Sequence, residues 1–198
     1  GLGDVYKRQP LDIAEKDLCL YHEHATDLQE QVNRFNQGIG LDGSKIEGIE
    51  TPFSYGMACY PEKHEEAPNM ESDLFYLKEK VRNGADYVVT QMFFDNEKYY
   101  AFVERCRQEG IDVPIIPGIK PVVFKNQLNV LLKVFRTDIP EAFASELRKC
   151  TTDEEVKVVG VEWCKAQCKD LLAHGVPGLH FYTFMASDSV YKVAKEVY

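Results

Sequence analysis

The chain has 198 residues, 44% hydrophobic and 28% charged, a balance that supports a buried core and excludes a disordered chain. Its length fits one domain, or part of a larger one, and excludes most multidomain arrangements. Lys and Arg total 23 against 32 Asp and Glu, a net charge of -9 that argues against nucleic acid or an anionic membrane as main partner and for small molecules.

Residues 1–9, GLGDVYKRQ, show neither helical nor strand periodicity and read as a non-native scar, leaving 10–198 as the folded domain. A helix is expected within 24–37. The first strand is predicted over 53–60, followed by Pro61 and a polar loop to Asn69. Met70, Leu74, Leu77 and Val81 recur at helical spacing, and Asn83-Gly84 stops that helix. Residues 87–93 are β-branched and aromatic, as suits a strand covered on both faces. Asp95 and Asn96 open a helix carrying Tyr99, Phe102, Val103 and Cys106, which ends at Gly110. A third strand over 113–119 contains two prolines, so a short and irregular strand end is expected.

Leu128, Leu131, Leu132 and Phe135 predict an amphipathic helix, and a short helix spans Glu141 to Lys149. Thr152 and Glu155 form a capping box for a long helix with Val156, Val159, Trp163 and Leu171 inward, closed at Gly175. The last strand is placed at 178–183, and Ser187 or Asp188 caps a final helix carrying Val190, Val193, Ala194 and Val197. Strands alternating with helices predict an α/β fold with a parallel sheet. Four such units are half of an eight-stranded (β/α)8 TIM barrel, whose chemistry sits at the carboxyl ends of the strands.

At those ends, each candidate has an ordinary reading beside the functional one. Tyr60 suits core packing, although its hydroxyl can also bond a ligand. His64 is a loop histidine, ordinarily just solvated. Asp73, Tyr76 and Lys80 share a helix face that could be a solvated polar surface. Gln91 is sharper: a carboxamide inside an apolar strand needs partners, or costs about 1–3 kcal/mol in desolvation. A neighbouring strand's backbone could supply them as well as a ligand. Gln127 defaults to a helix start, and Asp95 to a helix cap.

The six cysteines sit singly among apolar residues, and no apolar run or signal-peptide pattern is found, so reduced thiols and a cytoplasmic location are expected. Cys164 and Cys168 lack the spacing of a metal site, and His22, Glu23 and His24 are a weak candidate; no metal is expected.

Tyr60-Pro61-Glu62-Lys63-His64, with Asp73, then Thr90-Gln91-Met92-Phe93-Phe94-Asp95, Pro117-Gly118-Ile119 with Pro121, and His180-Phe181-Tyr182-Thr183, together resemble the methylenetetrahydrofolate reductase family in order and spacing. The resemblance implies a TIM barrel, of which this chain is about the second half. It also implies FAD, reduced in turn by NADH or NADPH, and reduction of 5,10-methylenetetrahydrofolate to 5-methyltetrahydrofolate in one-carbon metabolism and methionine supply. Carried over residue by residue, Tyr60, His64, Ala67, Asp73 and Lys80 would bind FAD, and Gln91 and Gln127 the substrate. Tyr76, Glu79, Leu131 and Ala186 depart from the side chains that other members have at these positions. The family's acidic proton donor and an Arg-Gly-Asp-like turn belong to the first half, so no catalytic acid is expected here. The family further implies a homo-oligomer for the full-length protein. The alternative is an inactive half-barrel that only self-associates or pairs with a missing amino-terminal half, since half a barrel exposes two sheet edges. A third reading is another barrel enzyme on the same scaffold.

Overall fold

The computed structural model describes residue 22 and residues 24–46, 50–184 and 186–198. The expectations for residues 1–9, Cys19 and Glu23 lie outside the described residues. Four strands, β1 (Gly56–Cys59), β2 (Tyr87–Met92), β3 (Ile115–Ile119) and β4 (His180–Phe181), form one sheet in the order β1-β2-β3-β4. Every pairing is parallel. The helices among the described residues are α1 (Ala25–Asn36), α2 (Met70–Arg82), α3 (Asn96–Gln108), α4 (Gln127–Lys133), α5 (Glu141–Lys149), α6 (Asp153–Ala173) and α7 (Ser187–Val197).

The strand period of two divides the sheet into unequal faces. Cys59, Val88, Ile115 and Ile119 point toward the helices and are buried against Leu74, Leu77, Phe102, Cys106, Cys164, Leu171 and Val193. Each fully buried side chain of this size contributes about 1.5–3 kcal/mol. Phe93 stacks on Tyr99 with ring centroids 5.4 Å apart, and the Tyr99 hydroxyl donates to the Ile115 carbonyl at 2.7 Å. On the opposite face, which would line a complete barrel, Ala58, Tyr87 and His180 are exposed. A second cluster of Met92, Phe94, Val122, Leu131, Phe143, Leu147 and Val156 lies beyond the carboxyl ends of the strands.

Side-chain caps begin three of the helices. Asn69 accepts from the Ser72 N–H at 2.8 Å, Asp95 from the Glu97 N–H at 3.0 Å, and Thr152 and Glu155 complete the expected capping box. Before α7 neither Ser187 nor Asp188 is the cap: Ala186 takes that position without a side-chain bond, and Ser187 is already helical.

The strands are shorter than predicted. Phe53 lies ahead of β1 and is 61% exposed, because its backbone N–H and C=O are bonded to the Asn36 carboxamide instead of a strand. β4 keeps two residues, as an edge strand beside a β3 that runs into Pro121. β3 begins at Ile115, and its register with β2 slips between Val89 and Met92, the irregularity expected there. Leu132 is 50% exposed rather than inward, because in the seven-residue α4 only the line through Leu128, Leu131 and Phe135 meets the core.

Gly160 and Gly118 are set by close approach. A Cβ at Gly160 in α6 would sit 1.9 Å from the Val122 carbonyl oxygen, and one at Gly118 would sit 2.2 Å from the Thr90 carbonyl oxygen. The backbone on either side cannot yield without moving an element. Gly160→Ala is therefore expected to lower stability by about 1–3 kcal/mol, although alanine is the better helix former. A urea midpoint equal to or above that of the wild type would contradict this packing.

Candidate functional site

At the carboxyl ends of β1 and β2 most of the sequence-predicted residues meet. Tyr60 follows β1 directly, and the register pairing Cys59 with Thr90 sets it beside Gln91. The His64 ring meets the Tyr60 ring edge-on, with centroids 4.5 Å apart. The loop between them is tied down from inside and outside. The Lys63 ammonium donates to the carbonyls of His64 (2.9 Å) and Ala67, and the His64 N–H donates to the Asp73 carboxylate at 2.8 Å. Lys63 itself has φ +78, a conformation that side chains other than glycine rarely adopt.

Asp73 and Lys80 are two turns apart on α2 and so share a face. The Lys80 ammonium donates to the Ala58 carbonyl at 3.4 Å. Burial holds the Lys80 pKa below the usual lysine value, with the Asp73 charge opposing that shift. Burial, reinforced by Asp73, pushes the Tyr60 phenol up, and burial raises the neighbouring Cys59 thiol well above its usual range. Tyr60 and Cys59 are thus held in their neutral forms. The group offers one cation, one carboxylate and two flat rings, a surface suited to binding.

Gln91 lines a cleft with Tyr60, Pro61, Glu62, Phe135 and Arg136. Its carboxamide oxygen accepts from the Met92 N–H at 3.0 Å, a donor at the slip between β2 and β3. Among the described residues its Nε2 has no hydrogen-bond partner, which leaves two donors for whatever enters the cleft. Gln127 stands differently: its oxygen accepts from the N–H groups of Val123 (2.8 Å) and Phe124 (3.3 Å), so it braces its own loop. No hydrogen bond among the described residues joins it to the Tyr60 group.

The positions that depart from the family pattern have local explanations. Leu131 is 1% exposed and belongs to the second core cluster. Tyr76 is exposed, Glu79 pairs with Arg82 at 2.9 Å, and Ala186 precedes α7. Asp95 is the helix cap that its position suggested. Cys164 and Cys168 are buried free thiols. The contact with Cys168 and then burial raise the Cys164 pKa. Among the described residues no three His, Cys, Asp or Glu side chains are grouped to hold a metal, and no helix is long and apolar enough to cross a membrane.

Sequence reading missed the brace behind the cleft. Glu62 accepts from the Lys98 ammonium at 2.9 Å and from the Asp138 N–H at 3.0 Å, and Lys98 also reaches the Asp138 carboxylate. An acid directly after a strand-ending Tyr-Pro was the available signal, but its partners lie 36 and 76 residues away. The wall formed by Phe135, Arg136 and Thr137 left no local signal at all.

The family model described as methylenetetrahydrofolate reductase matches residues 23–198. A relative from Escherichia coli named 5,10-methylenetetrahydrofolate reductase is 39% identical over 142 residues, covering 71% of this chain and 48% of its own length. One from Caenorhabditis elegans, named probable methylenetetrahydrofolate reductase (NADPH), is 37% identical over 147 residues, covering 73% of this chain and 22% of its own. The chain therefore spans about half the length of the bacterial relative and about a fifth of the nematode one. Among solved structures, an uncharacterized protein from Clostridium thermocellum, described as binding two copies of 5-methyl-5,6,7,8-tetrahydrofolic acid, aligns with a TM-score of 0.50 at 17% identity. That alignment covers 73% of this chain and 53% of the other, and it shows a likeness of fold.

The Glu62 brace has a pH signature. Burial raises the Glu62 pKa, with Lys98 and the Asp138 N–H opposing. A carboxyl whose folded pKa is raised favours the fold below its unfolded pKa and loses that contribution as pH rises through the folded value. Lys98→Met removes the opposing charge and is expected to cost about 1–3 kcal/mol at neutral pH. The deficit should shrink toward pH 4, where Glu62 is protonated. Urea midpoints of variant and wild type at both pH values check this, and a deficit independent of pH would contradict it.

Proposed function

Because the chain belongs to the methylenetetrahydrofolate reductase family, we propose that it supplies one wall of the site in which NADH or NADPH reduces FAD and 5,10-methylenetetrahydrofolate becomes 5-methyltetrahydrofolate. The observation that carries this reading is the meeting of Tyr60, His64, Asp73 and Lys80 beside Gln91 at the carboxyl end of a parallel sheet, where barrel enzymes bind their ligands. The residues fit a flavin dinucleotide. Lys80 is a cation suited to a pyrophosphate, Asp73 can accept from ribityl or ribose hydroxyls, and the Tyr60 and His64 rings, with Ala67 in the same loop, offer flat apolar contact.

Bound there, FAD would supply the hydride chemistry between the two substrates, and the protein would orient it. The Gln91 amide donors would hold a carbonyl or ring nitrogen of whichever substrate is present. The amide has no useful pKa for proton transfer, so its role is orientation. Gln127 would act from the loop after β3 through its amide nitrogen, since its oxygen is engaged. Glu62 borders the cleft, but both its oxygens are occupied by Lys98 and the Asp138 N–H, so the proton donor is assigned to strands outside this half-barrel. Homo-oligomeric assembly and a cytoplasmic location complete the proposal.

A second reading has one observation in its favour. The inner face exposes Ala58, Tyr87 and His180, so the sheet could serve only for association with another chain. One experiment separates the two. The chain is incubated with FAD and desalted, and its absorbance spectrum and sedimentation are measured, with the Escherichia coli relative as positive control. Retained flavin bands are expected, with affinity falling about tenfold in Lys80→Met. A colourless, self-associating chain would overturn the binding reading and favour association.

A further inference from the structure

Lys120 follows β3 directly, on the carboxyl side of the sheet. It is 4% exposed, and among the described residues its ammonium has no hydrogen-bond partner. The usual arrangement for a buried lysine stem places the charged head in water, whereas here the head itself is enclosed. Its one charge-compensating contact among the described residues is the Phe184 ring, whose centroid is 4.5 Å from Nζ. That contact offsets only part of the cost of withdrawing an ammonium from water. Burial accordingly lowers its pKa.

Phe184 is an uneasy cover. Its φ is +39, a left-handed conformation unfavourable for an aromatic residue, and 48% of it is exposed. Its ring also meets that of Phe135 at 6.2 Å, and Phe135 lines the cleft with Tyr60 and Gln91. A strained, half-exposed ring therefore touches both the unpaired cation and the wall of the ligand cleft.

We propose that Lys120 is an anion-binding residue of this site, which exchanges its contact with the Phe184 ring for an anionic oxygen of the substrate when Phe184 turns aside. The assignment rests on the reading of the site given above. Two sources carry such an oxygen: the glutamyl carboxylates of a folate, and the phosphates of a reduced nicotinamide dinucleotide. Both fit a lone ammonium, because each forms a charge-assisted hydrogen bond that replaces the aromatic contact.

The test measures affinities of the chain for two ligand pairs that differ in their anions: 5-methyltetrahydrofolate with a counterpart whose glutamate is replaced by a simple carboxamide on the benzoyl group, and NADH with reduced nicotinamide riboside. Lys120→Met should lose tenfold or more for the anionic member of one pair and change less than twofold for its anion-free member. The affected pair identifies the source. The thermal midpoint should not fall, since the variant removes an unpaired buried charge. Equal losses within both pairs, or none, would overturn the assignment while leaving the proposed function standing. Wild type that binds none of the four ligands would overturn both. A measurement on the unmodified sequence guards against a variant that fails to fold: in protein carrying 13C at the lysine ε-carbons, the Lys120 signal should move with the anionic ligand and stay in place with its anion-free partner. No movement with any bound ligand would sink the proposal.

Discussion

Thr90 joins two strands and the segment that follows a third at one buried point. Its hydroxyl oxygen accepts from the Gly118 N–H at 2.8 Å, and its carbonyl accepts from the Tyr182 hydroxyl at 2.9 Å, so β2 is tied to β3 and to the segment after β4. The Tyr182 ring crosses Gly118, where a Cβ would lie 2.6 Å from it, so the glycine and the tyrosine require one another. This joint accompanies the register slip between β2 and β3. The slip leaves the Met92 N–H for Gln91, turning a strand glutamine into a pair of donors facing the cleft.

Around that joint the site is built from backbone held by distant charges. The loop after β1 carries Tyr60, His64 and Ala67, and it is positioned by Asp73 from α2, by Lys63 within it, and by Glu62 reaching Lys98 on α3. Each of these charges is engaged by a neighbouring segment, the backbone of its own loop or a side chain of α3. They hold an irregular loop in place, and with it the two rings at the carboxyl ends of the strands.

Much of the architecture was legible because it is local. The stripe through Leu74 and Leu77, the Asn83-Gly84 stop and the Thr152–Glu155 box each depend on residues within one or two turns, and the structure has them as expected. Strand ends were less legible: whether Phe53 or Tyr182 joins a ladder depends on what stands beside it, and a side chain such as Asn36 can take the place of a strand. In the candidate site, the grouping of Tyr60, His64, Asp73 and Lys80 was readable from motif and helical spacing. The Glu62 brace, the Phe135 wall and the isolation of Lys120 were not, since each depends on segments brought together only by folding. Gln127 shows the opposite limit, because a residue can sit at the expected offset and still spend its oxygen on its own loop.

The order of the sheet follows the order of the chain, and each strand lies next to the one made just before it. None of the four described strands must wait for a later segment to be inserted between it and its neighbour. A chain emerging from the ribosome can therefore lay down β1, then add β2, β3 and β4 at a single growing edge, with each crossover helix closing over the pair already formed. A sheet interleaved in sequence could not be assembled in this way, and its early strands would spend longer with open edges exposed to other nascent chains.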